Sequence, residues 1–142
     1  MPSFIKDVMY VAVGGGGGAV IRELLMLGVA NLPGGFPLPI FIANVVASAL
    51  IGIFTALSVS GGPLGRTGKL LLTTGVMGGM STFSSLIWGT QQMLMNPAER
   101  TTGIVYLVLS MVVGFLLVKL GMQVGSRLRA SPPSRGNGNP RA

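Results

Sequence analysis

Four long apolar stretches dominate the chain, and short turn-forming or charged segments separate them. The stretches cover residues 8–28, 40–57, 70–95 and 102–124. A helix needs about 20 predominantly apolar residues to cross the hydrocarbon core of a bilayer. The pattern therefore predicts an all-α membrane protein with four transmembrane helices.

The third stretch is interrupted near its centre by the segment G-G-M-S-T-F-S-S at residues 78–85. Two adjacent glycines and a cluster of hydroxyl side chains weaken a continuous helix at this point. Backbone groups freed inside a membrane are tolerated only where they are buried in protein or line a wet cavity. Broken helices at membrane depth bind ions and small solutes in transport proteins. We therefore expect a broken third helix with an ion or solute pathway at the break.

The two ends of the chain differ from the apolar stretches. Residues 1–7 form a short polar lead, and residues 126–142 are basic and rich in Pro, Gly, Ser and Asn. A segment of that composition cannot bury enough apolar surface to fold, so we predict that the tail is disordered. The predicted four-helix domain covers residues 8–125.

The composition leaves few residues for catalysis. The 142-residue chain is 49% hydrophobic and 9% charged, whereas about a quarter of the residues in soluble domains are charged. It contains no cysteine and no histidine, and its acidic residues are Asp7, Glu23 and Glu99. Because histidine is a principal general base and the commonest metal ligand, we predict that the protein is not an enzyme.

Charged and amide side chains inside the predicted helices each allow two interpretations. Arg22 and Glu23 interrupt the first helix, where a charge is costly unless it is paired or near an interface. They are either a pair at the membrane edge or functional residues. Asn44 in the second helix is either an interhelical hydrogen-bonding group or a ligand contact.

Small residues indicate close packing in the first and fourth helices. The five glycines at 14–18 resemble a phosphate-binding loop only formally, because no strand precedes them and no Lys-Ser/Thr pair follows. Glycines let helices approach closely within a bilayer. In the fourth helix Tyr106, Ser110 and Gly114 recur every four residues and share one face. That face is either a packing seam or a polar lining.

Together these motifs resemble the CrcB/Fluc fluoride channel family. The resemblance rests on four segments in the order that the family has them, and it covers roughly residues 8 to 125. They are G-A-V-I-R at 18–22, Asn44, T-T-G-V-M-G-G-M-S-T-F-S at 73–84 and Y-L-V-L-S-M-V-V-G at 106–114.

The resemblance implies a dual-topology architecture, in which two antiparallel subunits form two narrow fluoride pores at their interface. It implies passive export of cytoplasmic fluoride across the plasma membrane, which relieves fluoride toxicity. It also implies a structural sodium ion, not transported, that the backbone carbonyls of Gly78 and Ser81 hold on the dimer axis. Arg22 corresponds to an arginine of the pore vestibule.

The resemblance further implies a pore lined by an asparagine amide, a phenylalanine ring edge and hydroxyl groups. Fluoride is small and strongly hydrated, so a pore must replace its water shell with hydrogen-bond donors or polarised ring edges. Hydroxyl and amide groups are such donors and carry no full charge that would trap the ion. The predicted pore residues are Asn44, Phe83, Ser84, Tyr106 and Ser110.

The sequence departs from the family pattern at three places. The motif reads S-T-F-S-S-L at 81–86, so Leu86 stands where the family has a second pore phenylalanine. Pro39-Ile40 replaces a glycine-threonine pair before Asn44, and Glu23 replaces an aromatic residue after the first-helix arginine. These changes weaken the expectation that two copies of this chain form good pores.

The basic residues are unevenly distributed about the predicted helices. With four crossings, both termini and the 58–69 loop share one side, and Arg100 is the basic residue of the other side's loops. The shared side carries Lys6, Arg66, Lys69, Arg127, Arg129, Arg135 and Arg141. The positive-inside rule then predicts cytoplasmic termini, and it explains the net charge of +7 without a nucleic-acid partner.

This charge bias predicts one orientation in the membrane, whereas an antiparallel homodimer needs both. We therefore expect a heterodimer with a homologous subunit of opposite topology that supplies the missing phenylalanine, and the homodimer is the alternative. Two other functions remain open at this stage. One is a small proton-coupled multidrug transporter, in which Glu23 binds protons and cations. The other is a non-conducting scaffold subunit.

Overall fold

The computed structural model describes residues 3–59 and 62–130, which form helices and, within those ranges, no β-strand. The predicted all-α membrane architecture is confirmed to this extent, because four segments are long and apolar enough to cross a membrane. They are Ser3–Gly28, Pro33–Leu57, Gly65–Met95 and Arg100–Ala130.

The first, second and fourth membrane segments each contain one long helix, and the third contains several shorter ones. The helices are α1 (Ser3–Gly28), α2 (Leu38–Leu57), α3 (Gly65–Gly68), α4 (Met77–Met80), α5 (Phe83–Met95) and α6 (Arg100–Ala130). A π-helical stretch, Lys69–Val76, joins α3 to α4, and a 3₁₀ turn at Pro33–Gly35 precedes α2. We refer to Gly65–Met95 as the third segment.

Helices α1 and α6 extend beyond their apolar stretches. Residues 3–7 belong to α1, and residues 126–130, which were predicted to start the disordered tail, are the last turn of α6. Arg127 and Arg129 in that turn interact favourably with the negative end of the helix dipole. The rest of the predicted tail, 131–142, lies outside the described residues.

Helix α1 runs parallel to the first half of the third segment at very close range. The Cα atoms of Gly14 and Gly75 face each other across this contact, and Gly18 lies against the backbone between Val76 and Met80. Because the hydrophobic effect does not drive helices together within a bilayer, van der Waals packing between small residues stabilises such contacts. The prediction that residues 14–18 mediate close packing is confirmed for Gly14 and Gly18.

The second pair of parallel helices is α2 and α6, and it is held in the same way. Gly121 lies against the carbonyl oxygen of Ala49, and Gly52 lies against the carbonyl oxygen of Val118. Helix α5 packs antiparallel on α6, where Met93 meets Gly103. The break in the third segment is thus placed between α1 on one side and α2 and α6 on the other.

Three chain segments meet at one end of the bundle. The Arg66 guanidinium of α3 forms an exposed salt bridge with Asp7 of α1. The amide of Leu64 donates to the carbonyl of Leu57 at the end of α2. The start of α1, the end of α2 and the start of α3 therefore lie together, as four crossings require.

Candidate functional site

The helical backbone of the third segment is interrupted at two extended residues. Ser81 (φ −75°, ψ 148°) and Thr82 (φ −148°, ψ 112°) separate α4 from α5. The Ser81 amide closes α4 by donating to the Met77 carbonyl over 2.9 Å. The Thr82 hydroxyl caps α5 by accepting from the Ser85 amide over 3.2 Å. Threonine is a favourable N-cap because its oxygen satisfies one of the free N–H groups of a first helical turn.

Asn44 on α2 holds this break with two hydrogen bonds. Its Oδ1 accepts from the Thr82 amide over 2.7 Å, and its Nδ2 donates to the Thr82 carbonyl over 3.2 Å. One amide side chain thus satisfies both backbone groups of a residue that belongs to neither helix. This is the interhelical hydrogen-bonding role that the sequence allowed. An amide nitrogen carries two N–H groups, and the second has no acceptor among the described residues.

The break leaves the four carbonyls of residues 78–81 without their usual helical donors, and Gly78 and Ser81 are two of these four. In a continuous helix the Thr82 amide would donate to Gly78 and the Ser85 amide to Ser81. Here the Thr82 amide donates to Asn44 and the Ser85 amide to the Thr82 hydroxyl. The carbonyls of Gly78 and Ser81 are the two that the sequence resemblance indicated as ion ligands.

Arg22 reaches the same break from α1. Its guanidinium is partly buried, and Nη1 donates to the Gly79 carbonyl over 3.1 Å. Within the described ranges no ion pair joins Arg22 to Glu23, whose side chain is exposed. The membrane-edge pairing that the sequence allowed is therefore not found. The arginine instead places a positive charge beside the backbone of the break.

A groove of about 290 Å³ opens beside the break, between α2, α5 and α6. Four of the predicted residues line it, namely Asn44, Ser81, Phe83 and Ser110, and so does Leu86. Its lining also includes Ser48, Thr82, Gly114 and Phe115. Amide, hydroxyl and aromatic groups therefore converge in one space that contains no charged side chain.

Two of the predicted pore residues lie outside the lining of this groove. Tyr106 is fully buried (0% exposed), with its ring 5.0 Å from that of Phe36 in an edge-to-face arrangement. Its hydroxyl has no hydrogen-bond partner in the described part of the chain, and neither has the hydroxyl of Ser110. Ser84 is exposed, and its Oγ lies 3.2 Å from Oγ1 of Thr82.

Thr82, Ser48 and Phe115 were not predicted as site residues. For Thr82 a signal was present, because a threonine directly before an apolar helical run is a typical N-cap. For Ser48 the serine lies one turn after Asn44 on α2, which places both on one helix face. Nothing in the sequence around Phe115 distinguished it from a lipid-facing residue.

The chain was compared with protein-family models and with known proteins. The family model described as "CrcB-like protein, Camphor Resistance (CrcB)" matches residues 9–122. A relative from Yersinia pseudotuberculosis named "Fluoride-specific ion channel FluC 3" is 41% identical over 94% of this chain and 96% of its own length. A relative from Ignicoccus hospitalis named "Fluoride-specific ion channel FluC" is 36% identical over 87% of this chain and 98% of its own length.

A longer relative matches over part of its length. The protein from Brucella abortus named "Fluoride-specific ion channel FluC 1" is 38% identical over 84% of this chain, which covers 44% of that relative. The similarity to the three relatives therefore extends over nearly all of this chain, including the break and the groove.

Proposed function

This chain belongs to the CrcB-like protein family, and from that premise we propose that it is a subunit of a fluoride-selective channel in the plasma membrane. Fluoride that enters as HF accumulates in a cytoplasm more alkaline than its surroundings, and the channel lets it leave passively. The observation that carries the proposal is the groove beside the break, where the Asn44 amide, the Ser110 hydroxyl and the Phe83 ring meet.

The lining of this groove supports selectivity for a small, strongly hydrated anion. A pore must offer donors that replace water around fluoride, yet must release the ion again. Asn44 has an N–H left for this purpose, and the buried Ser110 hydroxyl has no partner among the described residues. Arg22 lies one helix away beside Gly79, which suits attraction of an anion towards the site without direct binding.

Tyr106 offers a way to separate a pore role from a packing role. Its buried hydroxyl has no partner in the described part of the chain, so Tyr106→Phe removes an unsatisfied polar group. We expect the thermal stability in detergent to stay equal or rise by up to about 1 kcal/mol. Tyr106 lies outside the groove lining but one helical turn before Ser110 on α6. If its hydroxyl serves the ion where the path continues past Ser110, we expect fluoride efflux from vesicles to fall about tenfold, as for a lost donor worth about 1.4 kcal/mol.

The opposite pattern would contradict this role for Tyr106. A variant that loses stability but conducts normally would show that the hydroxyl serves the fold. Phe36→Leu is the matched control, because Phe36 packs against the Tyr106 ring and carries no hydroxyl. Phe36→Leu should mainly lower thermal stability, with a smaller effect on fluoride efflux.

We further propose that two such subunits associate antiparallel. Within the membrane-spanning third segment, Thr74, Gly78, Phe83 and Ser84 are exposed in the single chain. Hydroxyl groups and an unpaired backbone carbonyl are unfavourable against lipid, so a protein surface must cover them. The basic bias of one membrane side, together with Leu86 in the groove, supports a heterodimer with a homologous chain of opposite orientation.

The proposed sodium ion fits the carbonyl groups at the break. Among the described residues no group of three or more His, Cys, Asp or Glu side chains could hold a metal, so the oxygens available at the break are backbone carbonyls and hydroxyl groups. Gly78 and Ser81 have lost their usual donors, and unwound backbone carbonyls bind sodium in other membrane proteins. Two carbonyls from each of two antiparallel chains would supply four ligands.

Sodium replacement tests this ligand set, because backbone carbonyls cannot be removed by substitution. We expect that protein purified and reconstituted without Na⁺, with K⁺ and valinomycin carrying the compensating charge, loses fluoride efflux and dissociates on size exclusion. Restoring Na⁺ should recover both. Full efflux from a stable dimer in Na⁺-free medium would exclude a required sodium ion.

Fluoride efflux from liposomes tests the function itself. This chain is reconstituted alone and then together with a homologous chain of opposite charge bias. Efflux in either case supports the channel, and efflux only with the partner supports the heterodimer. Export of a cation that requires a proton gradient and Glu23 would instead indicate the transporter, and no transport at all would indicate the scaffold.

A further inference from the structure

A second cavity lies away from the break, at the opposite end of the bundle from the Asp7–Arg66 salt bridge. It has a volume of about 400 Å³ and lies between the loop before α2 and the end of α5. Its lining includes Met26, Asn31, Trp88, Gln92, Met93 and Glu99. We call it the Glu99 cavity.

The Glu99 carboxylate has no charge partner within the described part of the chain. No hydrogen bond or salt bridge to its side chain is found there, although the residue is only partly exposed. The neighbouring Arg100 directs Nε to the Leu94 carbonyl over 3.1 Å. A carboxylate with no counter-ion in a concave, partly apolar site favours a cation.

The loop before α2 brings its backbone directly against this carboxylate. Gly35 has φ +77°, and a Cβ atom there would lie 2.6 Å from Oε2 of Glu99. The positive φ favours glycine at this position, and the lack of a side chain lets the loop backbone lie directly against the end of the Glu99 side chain. The loop before α2 thus forms one wall of the cavity beside the carboxylate.

The rest of the lining determines which kind of cation fits. Calcium and magnesium take six or more oxygen ligands, whereas this cavity offers one carboxylate and the amides of Asn31 and Gln92 among apolar walls. Trp88, which is 62% exposed, also lines this cavity, and indole is the strongest aromatic partner for organic ammonium ions. Cavities of 300–1,000 Å³ typically hold small molecules. We propose that the Glu99 cavity binds a small organic cation of the alkylammonium class.

The cavity shares a wall with the residues behind the pore groove. Gly89 and Pro37 both line it. A Cβ on Gly89 would lie 3.0 Å from Cγ of Pro37 and 3.9 Å from Cε1 of Tyr106. A ligand in the Glu99 cavity is thus one layer of side chains away from Tyr106. Binding there does not depend on the proposed channel function and can be measured without transport.

Trp88 is the only tryptophan of the chain, so intrinsic fluorescence reports directly from the cavity. The full-length protein in detergent is titrated with choline and, as a neutral ligand of the same shape, with 3,3-dimethyl-1-butanol. We expect a saturable change in Trp88 emission with choline and a response at least about tenfold weaker with the alcohol, since one charge contact is worth 1.4 kcal/mol or more.

Two carboxylate variants localise the binding. Glu99→Gln is expected to weaken choline binding at least about tenfold, and Glu23→Gln, which alters an exposed carboxylate outside the cavity, is expected to leave it unchanged. Circular dichroism confirms that both variants fold. Calorimetric titration of Trp88→Leu, which needs no fluorophore, should show weaker choline binding as well.

Any of four results would overturn the proposal. The first three are no saturable response to choline, equal responses to choline and the alcohol, and a loss of binding in Glu23→Gln that Glu99→Gln does not show. Displacement of choline by millimolar Ca²⁺ but not by tetramethylammonium would also overturn it, because the site would then prefer a metal ion.

Discussion

The replacement Asn44→Ala is expected to reduce fluoride efflux about 10- to 100-fold and to destabilise the protein. The variant loses the free amide N–H that lines the groove, and a hydrogen bond to a charged group is worth about 1.5–3 kcal/mol. It also leaves the amide and carbonyl of Thr82 without their partners. An unsatisfied buried group costs about 1–3 kcal/mol, so we expect about 2–4 kcal/mol of lost stability.

Two further variants separate these effects. Asn44→Asp keeps an oxygen that accepts from the Thr82 amide but loses the donor and adds a negative charge, so it should conduct no better than Asn44→Ala. Ser48→Ala is the matched control, because Ser48 lines the same groove on α2 and makes no hydrogen bond to the break. Its stability should stay within about 0.5 kcal/mol of the unmodified protein.

Chemical or thermal unfolding in detergent and fluoride efflux from vesicles are measured on all three variants. If Asn44→Ala retained both normal stability and normal efflux, the hydrogen bonds to Thr82 would be required neither for the stability of the fold nor for fluoride conduction. If it lost stability alone, Asn44 would be an interhelical contact and another donor would have to serve fluoride.

The four membrane segments could be predicted from the sequence because bilayer thickness fixes the length of an apolar stretch. The ends of the helices could not be predicted, because hydropathy marks only the part of a helix inside the membrane. Backbone hydrogen bonding can continue the helix beyond the membrane surface. Helix α6 thus continues through Arg127 and Arg129 to Ala130. The sequence pattern from Lys69 to Val76 contains no sign of the π-helical geometry found there.

The residues of the candidate site could likewise be predicted only in part. Asn44 and Phe83 were identified by residue type and by resemblance, and both line the groove. The partners of Asn44 and Arg22 were not predicted, because they are backbone groups of Thr82 and Gly79. Which carbonyl or amide meets a side chain depends on how α1 and α2 pack against the break, and side-chain patterns do not encode that register.

The glycines of α1 give the second large expected effect. A Cβ on Gly18 would lie 2.0 Å from the carbonyl oxygen of Val76 and 2.8 Å from the amide nitrogen of Met80. Both atoms belong to the backbone, so they cannot move aside as a flexible side chain would. We expect Gly18→Ala to separate α1 from the third segment and to cost about 3 kcal/mol or more. A lower melting temperature in detergent and a loss of folded protein on size exclusion would measure it.

Gly17→Ala is the matched control in the same run of five glycines. Nothing lies within 4 Å of a Cβ built on Gly17, and alanine is favoured over glycine in a helix by about 1 kcal/mol. The folding of the single chain should therefore be preserved or improved. Equal melting temperatures for the two variants would show that α1 does not approach the third segment at Gly18. The Arg22 bond to Gly79 would then lose its support, because it depends on the same approach of α1 to the break.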